Sequence, residues 1–353
     1  MHDLTIINNK VSMAYAGETP WHRLGQKLEG DGLMTIEQAL ELANLNWNVE
    51  MEPAIILVDG VPTELTDFFR VFRSDTNATF QYATGQYHTL QNAELGELIR
   101  EILNQNDDAY VSAAGSLGDK GQKIFFSIKL PDEITLSGGD KVETYLNVFS
   151  SHDGSVATTI MPSMIRVVCQ NTMRAALANA DASRTFKMKH TESQKDRVEE
   201  IRAKIGLAEN VFEVMGGQMN DMISFEWESE VDRQDYICDV MGLENLPPEY
   251  DISYNSEGKE VKKRLAGTRS TRQENLFQTI NACEEYEVNN LGTPQNTLWA
   301  TLNAITGFVD HVGSTVATNQ GFEYKDNKLS QTMVGGSAKR KDRAFIKACQ
   351  IMS

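Results

Sequence analysis

Four strand-like segments follow one another in the middle of the chain, separated by short turns. The segments cover 110–117, 122–130, 142–149 and 155–161. Turn formers lie between them, including Gly-Asp-Lys-Gly at 118–121 and His152-Asp153-Gly154. Turns of this composition join antiparallel neighbours. The pattern therefore predicts an antiparallel β-meander.

Helical patterns precede and follow this meander. Apolar residues recur at helical spacing from Asn92 to Gln105, and a further helix carrying Met173 is predicted after Thr172. Upstream, Thr35 and Gln38 have the spacing of a capping box. This order predicts an α+β fold in which helices pack on one face of an antiparallel sheet.

The segment before Asn92 predicts a second hairpin. Residues 65–73 and 79–87 are strand-like, and Ser74, Asp75 and Asn77 between them favour a turn. The first thirty residues are rich in turn formers and predict an extended arm around Trp21 and His22.

The 353 residues exceed one typical domain, and the pattern changes near 185. We therefore expect an α+β sheet domain over 1–184 and a helical domain over 185–353. An apolar seam with spacings of three and four runs from Val198 to Met222 and predicts one long helix. That seam packs either within the subunit or against a second copy. Its apolar residues are Val198, Ile201, Ile205, Ala208, Phe212, Met215, Met219 and Met222.

Further helices are expected in the second half. They cover 273–288, 294–312 and 338–352, and Thr293 and Pro294 have the residue types of an N-cap and first helical position. Two prolines and several acidic residues predict a loop over 246–258.

Charge is distributed unevenly. The chain has 50 acidic and 33 basic residues and a formal charge of −17, which repels polyanions over most of the surface. Acidic residues are concentrated in 221–257, whereas 259–272 and 337–353 are basic. These two basic segments are either solvated decoration or polyanion contacts.

The sequence predicts a cytoplasmic protein that does not enter a membrane. No apolar run reaches the roughly 18 residues of a membrane span, and the first ten residues lack the pattern of a secretory signal. The four cysteines are far apart and have no zinc-site spacing, so reduced thiols are expected.

No short signature of nucleotide binding or hydrolysis occurs, and no catalytic residue, metal site or cofactor is predicted from motifs. His152 and Asp153 allow two interpretations. They are suited to a hairpin turn, and with His190 they are also residue types that bind a metal. The absence of a second ligand pair at fixed spacing favours the turn.

Basic residues surround the predicted strand-to-helix junction after the meander. Such a cluster on a sheet can hold phosphates while aromatic residues stack on bases. The candidate nucleic-acid-binding residues, including three from the C-terminal helix, are Arg166, Arg174, Arg184, Lys187, Lys189, Lys339, Arg340 and Lys341.

Several ordered strings carry a resemblance to a known family. They include Pro20-Trp21-His22-x-Leu24-Gly25, Ala114-Gly115-Ser116-Leu117, Ser151-His152-Asp153-Gly154-Ser155, Arg166-Val167-Val168-Cys169-x-Asn171-Thr172 and Asn296-Thr297-Leu298-Trp299. Over nearly its whole length the chain resembles the phage/plasmid-like proteins grouped as domain of unknown function 932. The resemblance implies a setting in phages, plasmids and integrated elements. It implies no activity, cofactor or catalytic residue.

Three functional hypotheses are open on the sequence. The first is a nucleic-acid-binding protein of phage or plasmid DNA metabolism, similar to single-strand annealing proteins, whose core is also a β-meander packed with helices. Single-stranded DNA would be its partner, and the Val198–Met222 helix would mediate self-association. The second is a counter-defence or host-takeover protein that binds a host protein through its acidic surface. The third is a metal-dependent enzyme using His152, Asp153 and His190.

Overall fold

The computed structural model describes most of the chain. The described residues are 4–17, 24–30, 33–104, 108–166, 172–174, 186–188, 211–247, 249–265, 268–312 and 336–353.

The described residues form fifteen strands. They are β1 (Ile6–Ile7), β2 (Lys10–Val11), β3 (Met13–Tyr15), β4 (Gln26–Lys27), β5 (Val49–Val58), β6 (Val61–Arg73), β7 (Thr79–Thr84), β8 (Tyr110–Leu117), β9 (Lys123–Thr135), β10 (Lys141–Ser151), β11 (Thr158–Arg166), β12 (Thr172–Arg174), β13 (Phe186–Met188), β14 (Tyr250–Tyr254) and β15 (Glu260–Arg264).

The largest sheet confirms the predicted meander. Its strands lie in the order β12-β11-β10-β9-β8-β3-β4, and β13 also pairs with β11. Every pairing from β8 to β12 is antiparallel, as is that of β13. The predicted extended arm is wrong in part, because β3 pairs with β8 and extends the sheet. Trp21 and His22 lie outside the described residues.

A three-stranded antiparallel sheet, β5-β6-β7, stands beside the main one. The predicted hairpin between 65–73 and 79–87 is confirmed by the pairing of β6 with β7. Strand β5 was not predicted, although Val49–Val58 is rich in β-branched and apolar residues. Several of these side chains are exposed, including Ile55 and Leu57, so the strand lacks the simple alternation that marks a half-buried strand.

The described helices enclose the other part of the core. They are α1 (Ile36–Leu42), α2 (Asn92–Asn104), α3 (211–224), α4 (Glu230–Met241), α5 (Thr271–Leu291), α6 (Leu298–Gly307), a π-helix (Phe308–Val312) and α7 (Gly336–Ile351). The capping box at Thr35 is present as predicted, with both reciprocal hydrogen bonds. Together with the sheets, these helices confirm the α+β class.

Helix α3 contains the described part of the predicted seam. Val211, Phe212, Met215, Met219 and Met222 are all buried in the core of their own subunit. The helical prediction is therefore confirmed over 211–222, and the seam there packs within the subunit. Residues 198–210 lie outside the described part of the chain.

Three other predictions about secondary structure are corrected. Residues 250–258, within the predicted loop at 246–258, belong to the β14–β15 hairpin, which runs to Arg264. Residues 172–174 form an edge strand rather than the start of a helix, because pairing with β11 satisfies their backbone. The N-cap of α6 is Thr297, whose hydroxyl accepts from the Ala300 amide, and the helix begins at Leu298 rather than Pro294.

One hydrophobic core joins the sheet to the helices. The buried cluster includes Val148 of the meander and Trp299 of α6. The Trp299 indole donates a 3.0 Å hydrogen bond to Asp140 in the β9–β10 turn, so a buried polar contact also connects the two parts. The division at 184/185 stays a prediction, and both predicted domains contribute to this core.

Candidate functional site

The outer edge of the meander gathers three of the predicted basic residues. Arg166 is the last residue of β11, and both β12 and β13 pair with that strand. Arg174 lies opposite Ser163, and Lys187 lies opposite Thr159. Arg184 and Lys189 lie outside the described residues. The sheet thus brings Arg166, Arg174 and Lys187 to one edge, although 20 residues of sequence lie between the first and the last.

The sheet face that continues from this edge is polar. Ser163 lies opposite Tyr145 of β10, and Tyr145 lies opposite Lys129 of β9. Directly opposed residues in an antiparallel pair share a face, so Ser163, Tyr145 and Lys129 lie on one face. Asn147, two residues beyond Tyr145, donates to the Ser163 hydroxyl at 2.5 Å. The opposite face carries the apolar residues of the main core.

A three-residue network organises the centre of this polar face. The Lys129 ammonium lies 2.5 Å from Glu143 Oε1, and the Tyr145 hydroxyl donates to Glu143 Oε2 at 2.5 Å. Burial raises the pKa of Tyr145, and the hydrogen bond to the Glu143 carboxylate raises it further. Burial opposes the charge on Lys129, but the hydrogen bond and the charge of Glu143 outweigh burial and raise the Lys129 pKa. Tyr145 is therefore held neutral beside a charged pair.

The sequence contains a signal for this network, although none of the network residues was predicted as a site residue. Glu143, Tyr145 and Asn147 alternate with the apolar Val142, Leu146 and Val148 along the strand. Period-two alternation assigns the polar residues to one face. The same alternation predicted the strand, and the polar residues of its second face are the ones that form the network.

Helix α7 carries the remaining candidates and lies against the edge strand β12. Lys339 is exposed and Arg340 is half-buried. Lys341 does not fit the predicted role, because its side chain is fully buried and its ammonium lies 2.8 Å from Asp310 Oδ1. A cation in that position is unable to reach a phosphate group in solvent. We therefore remove Lys341 from the candidate set.

The His152 turn connects the two sheets and is buried rather than exposed. The imidazole stacks on Phe80 at 5.5 Å and meets Trp47 edge-on at 5.3 Å, measured between ring centroids. Its Nε2 lies 3.0 Å from Asn92 Oδ1. The Asn92 amide nitrogen donates to the carbonyls of Leu45 and Trp47, which leaves Oδ1 as an acceptor and assigns the proton to His152 Nε2.

Asp153, the second candidate ligand of the metal interpretation, stabilises the turn locally. Asp153 Oδ1 accepts from the amide and the hydroxyl of Ser155, which closes the turn. The predicted hairpin turn is thus confirmed. Among the described residues no group of three His, Cys, Asp or Glu side chains is placed to hold a metal ion, and His190 lies outside those residues.

Comparison with known proteins identifies the family. The family model described as Domain of unknown function (DUF932) matches residues 80–334, well over half of the chain. The chain belongs to this family. No curated protein and no solved structure matches it.

The matched range separates the candidate residues into two groups. The DUF932 range includes the whole meander, the edge strands β12 and β13, and helices α3 to α6. Arg166, Arg174 and Lys187 therefore lie inside it. Helix α7, with Lys339 and Arg340, lies beyond residue 334. Within the described residues, no helix combines the length and apolar character that crossing a bilayer requires.

Proposed function

We propose that this DUF932 protein binds single-stranded nucleic acid in the DNA metabolism of a phage or plasmid, in the cytoplasm of the host cell. One observation supports the proposal most directly. The strands that contain Arg174 and Lys187 both pair with the strand that ends at Arg166, and α7 with Lys339 lies against the same edge. Residues far apart in sequence are thereby placed along one edge of the sheet.

Electrostatics permits such contacts despite the net charge of −17. Net charge controls the far field, whereas contact is governed within a Debye length of about 8 Å at physiological salt. Phosphate contacts by Arg and Lys release counterions and bind any sequence alike. Long-range repulsion weakens the binding, and the release of counterions at each phosphate contact makes it salt-sensitive.

The decisive experiment measures fluorescence anisotropy of a labelled, unphosphorylated single-stranded oligonucleotide over a salt series. Replacing Arg166 and Arg174 together by Ala should weaken binding to all sequences alike and flatten the salt dependence, by about one unit of slope for each phosphate that is no longer neutralised. The matched control replaces Lys259 and Lys263 by Ala. These residues belong to the β14–β15 hairpin segment, and their replacement removes the same charge.

Two results bear against the proposal. One is equal binding by the edge double variant and the hairpin control. The other is an absence of binding at low salt in every oligomeric form of the protein. Self-association belongs to the same proposal, so light scattering with and without the oligonucleotide should show a change in mass. The described part of the α3 seam is buried within the subunit and does not provide that contact.

A second function, the binding of a host protein, is favoured by a cavity lined with carboxylates. A cavity of about 570 Å³ between α4 and α7 is lined by five carboxylates and one basic residue, Lys347, together with the aromatic rings of Phe225 and Trp227. The carboxylates are Glu226, Glu228, Asp232, Asp235 and Asp239. This arrangement suits a basic side chain from a host protein.

The host-protein alternative is tested separately. An arginine-rich peptide should bind, and replacing Asp232 and Asp235 by Asn should abolish that binding. An unchanged affinity in the double variant would reject the cavity as the contact. A glutamate-rich peptide of the same length controls for binding that does not depend on charge.

A further inference from the structure

A second cavity lies between the first turns of α5 and α7, on the helical side of the molecule. Its volume is about 620 Å³, which is in the range of sites for small organic ligands. Phe308 and Val309 of the π-helix form part of its wall. The sheet-edge residues Arg166, Arg174 and Lys187 are not part of its lining.

The charge of the cavity is the opposite of that of the whole protein. Two arginines, Arg272 and Arg340, are among its twelve lining residues, and no carboxylate is. In the described part of the chain neither guanidinium has an ion-pair partner. In a chain with a formal charge of −17, two unpaired arginines in one cavity favour an anionic ligand.

Two carboxylates close in sequence to the cavity residues are paired with other cations. Glu274, two residues after Arg272, lies 3.6 Å from the Arg269 guanidinium. Asp310, next to Val309, is paired with the buried Lys341. Neither acid therefore competes with a ligand for Arg272 or Arg340.

The rest of the lining suits a flat ring with polar edges. Leu276, Phe308 and Val309 contribute an apolar surface, and the Phe308 ring is suited to stacking. Asn275 and Thr279 on α5 add amide and hydroxyl groups that pair with ring nitrogens or sugar hydroxyls. A phosphate joined to a base matches both halves of this lining.

We infer that this cavity binds a nucleotide, with its phosphate between Arg272 and Arg340 and its base against Leu276 and Phe308. The nucleotide has two sources with the same chemistry: a free nucleoside monophosphate, or the phosphorylated end of a nucleic-acid strand. The inference does not depend on the sheet-edge proposal, because the two sites share no residue except Arg340, which is not needed at the edge.

Isothermal titration with adenosine 5′-monophosphate tests the inference on the full chain. Arg272→Ala and Arg340→Ala should each weaken binding about ten-fold or more, because each removes a charge-assisted contact to phosphate. Arg343→Ala is the matched control, since Arg343 is an exposed arginine one turn further along α7 that does not line the cavity. Adenosine, which lacks the phosphate, should bind much more weakly. Its affinity should change little in any of the three variants.

A competition experiment distinguishes the two sources. A short oligonucleotide with a 5′-phosphate that displaces the monophosphate, when its unphosphorylated form does not, assigns the cavity to a strand end. If the phosphorylated oligonucleotide does not displace a monophosphate that binds, the free nucleotide is the ligand.

One result would overturn the inference, and one control separates it from the proposed function. If neither the monophosphate nor the phosphorylated oligonucleotide binds in a manner that depends on Arg272 and Arg340, the inference is overturned. The edge variant Arg166→Ala, Arg174→Ala should retain full monophosphate binding, so failure at the cavity and failure at the sheet edge are distinguishable.

Discussion

The ammonium of Lys341 lies 2.8 Å from Asp310 Oδ1 and 3.1 Å from Asp310 Oδ2, and almost no part of either side chain reaches solvent. This pair joins α7 to the π-helix after α6. It also neutralises a carboxylate next to the arginine-lined cavity. A lysine that belongs to one of the two basic segments of the sequence thus has a structural partner.

Replacing Lys341 by Met should strongly destabilise the protein. The Asp310 carboxylate would remain buried without a counter-charge, at a cost of about 3–5 kcal/mol in the free energy of unfolding. Urea denaturation followed by tryptophan fluorescence measures the decrease.

Two further variants control the Lys341 prediction. Lys339→Met, an exposed position on the same helix, should change stability by no more than about 0.5 kcal/mol. The double variant Lys341→Met, Asp310→Leu should recover much of the stability, because an apolar pair leaves no charge buried. Equal stability of Lys341→Met and the wild type would contradict the buried pair.

Replacing His152 by Ala should loosen the contact between the two sheets. The change removes the ring between Phe80 and Trp47 and leaves Asn92 Oδ1 without its donor, for a combined cost of about 2–4 kcal/mol. Asp153→Ala affects only the turn and should cost about 1 kcal/mol. Elemental analysis gives an independent check, since stoichiometric metal in the wild type that is absent from His152→Ala would support the metal interpretation instead.

Stability should fall at alkaline pH. The folded-state pKa values of Tyr145 and Tyr236 are raised above 10.0, mainly by burial, so both side chains favour the neutral form in the folded protein. The unfolded chain begins to lose these protons near pH 10 while the folded protein does not. Their contribution to stability is therefore complete below that pH and disappears as pH rises toward the folded-state values.

Substitution by Phe isolates the contribution of each tyrosine. In Tyr145→Phe and in Tyr236→Phe, the fall in denaturation midpoint above about pH 10 should be smaller than in the wild type, because one titrating group is removed. The double variant should show the smallest fall. A wild-type slope retained in all three variants would assign the alkaline effect to other groups, such as Lys129, whose pKa is also raised.

Two glycines should respond in opposite directions to substitution by Ala. A Cβ at Gly115 would lie 2.7 Å from the Ser12 carbonyl oxygen and 2.9 Å from the Phe125 ring, so β8 and β3 would have to separate. Destabilisation of about 1–3 kcal/mol is expected. At Gly217, inside α3, a Cβ meets nothing within 4 Å, and Ala should stabilise the helix by about 0.5–1 kcal/mol. Thermal denaturation of the two variants side by side measures both signs, and a stabilising Gly115→Ala would refute the close approach of the two strands.

The local signals in the sequence were sufficient for the elements with a strong pattern. Alternation and turn chemistry predicted the meander from 110 to 161, and the spacing of Thr35 and Gln38 predicted a capping box that the structure contains. These features depend on residues within a few positions of one another. A short stretch of sequence therefore carries all the information that they require.

Tertiary structure decided the features that depend on distant partners. Thr172–Arg174 became a strand because β11 offered its edge, and 250–258 became part of a hairpin although the acidic residues there and the two prolines just before it suggested a loop. His152 was buried by Phe80 and Trp47, which lie about seventy and one hundred residues earlier in the chain. Lys341 has the same charge as Lys339, yet Lys341 is the one that faces Asp310. The placement of a side chain in solvent or in the core depends on which distant segments pack against it, and charge and periodicity along the chain do not contain that information.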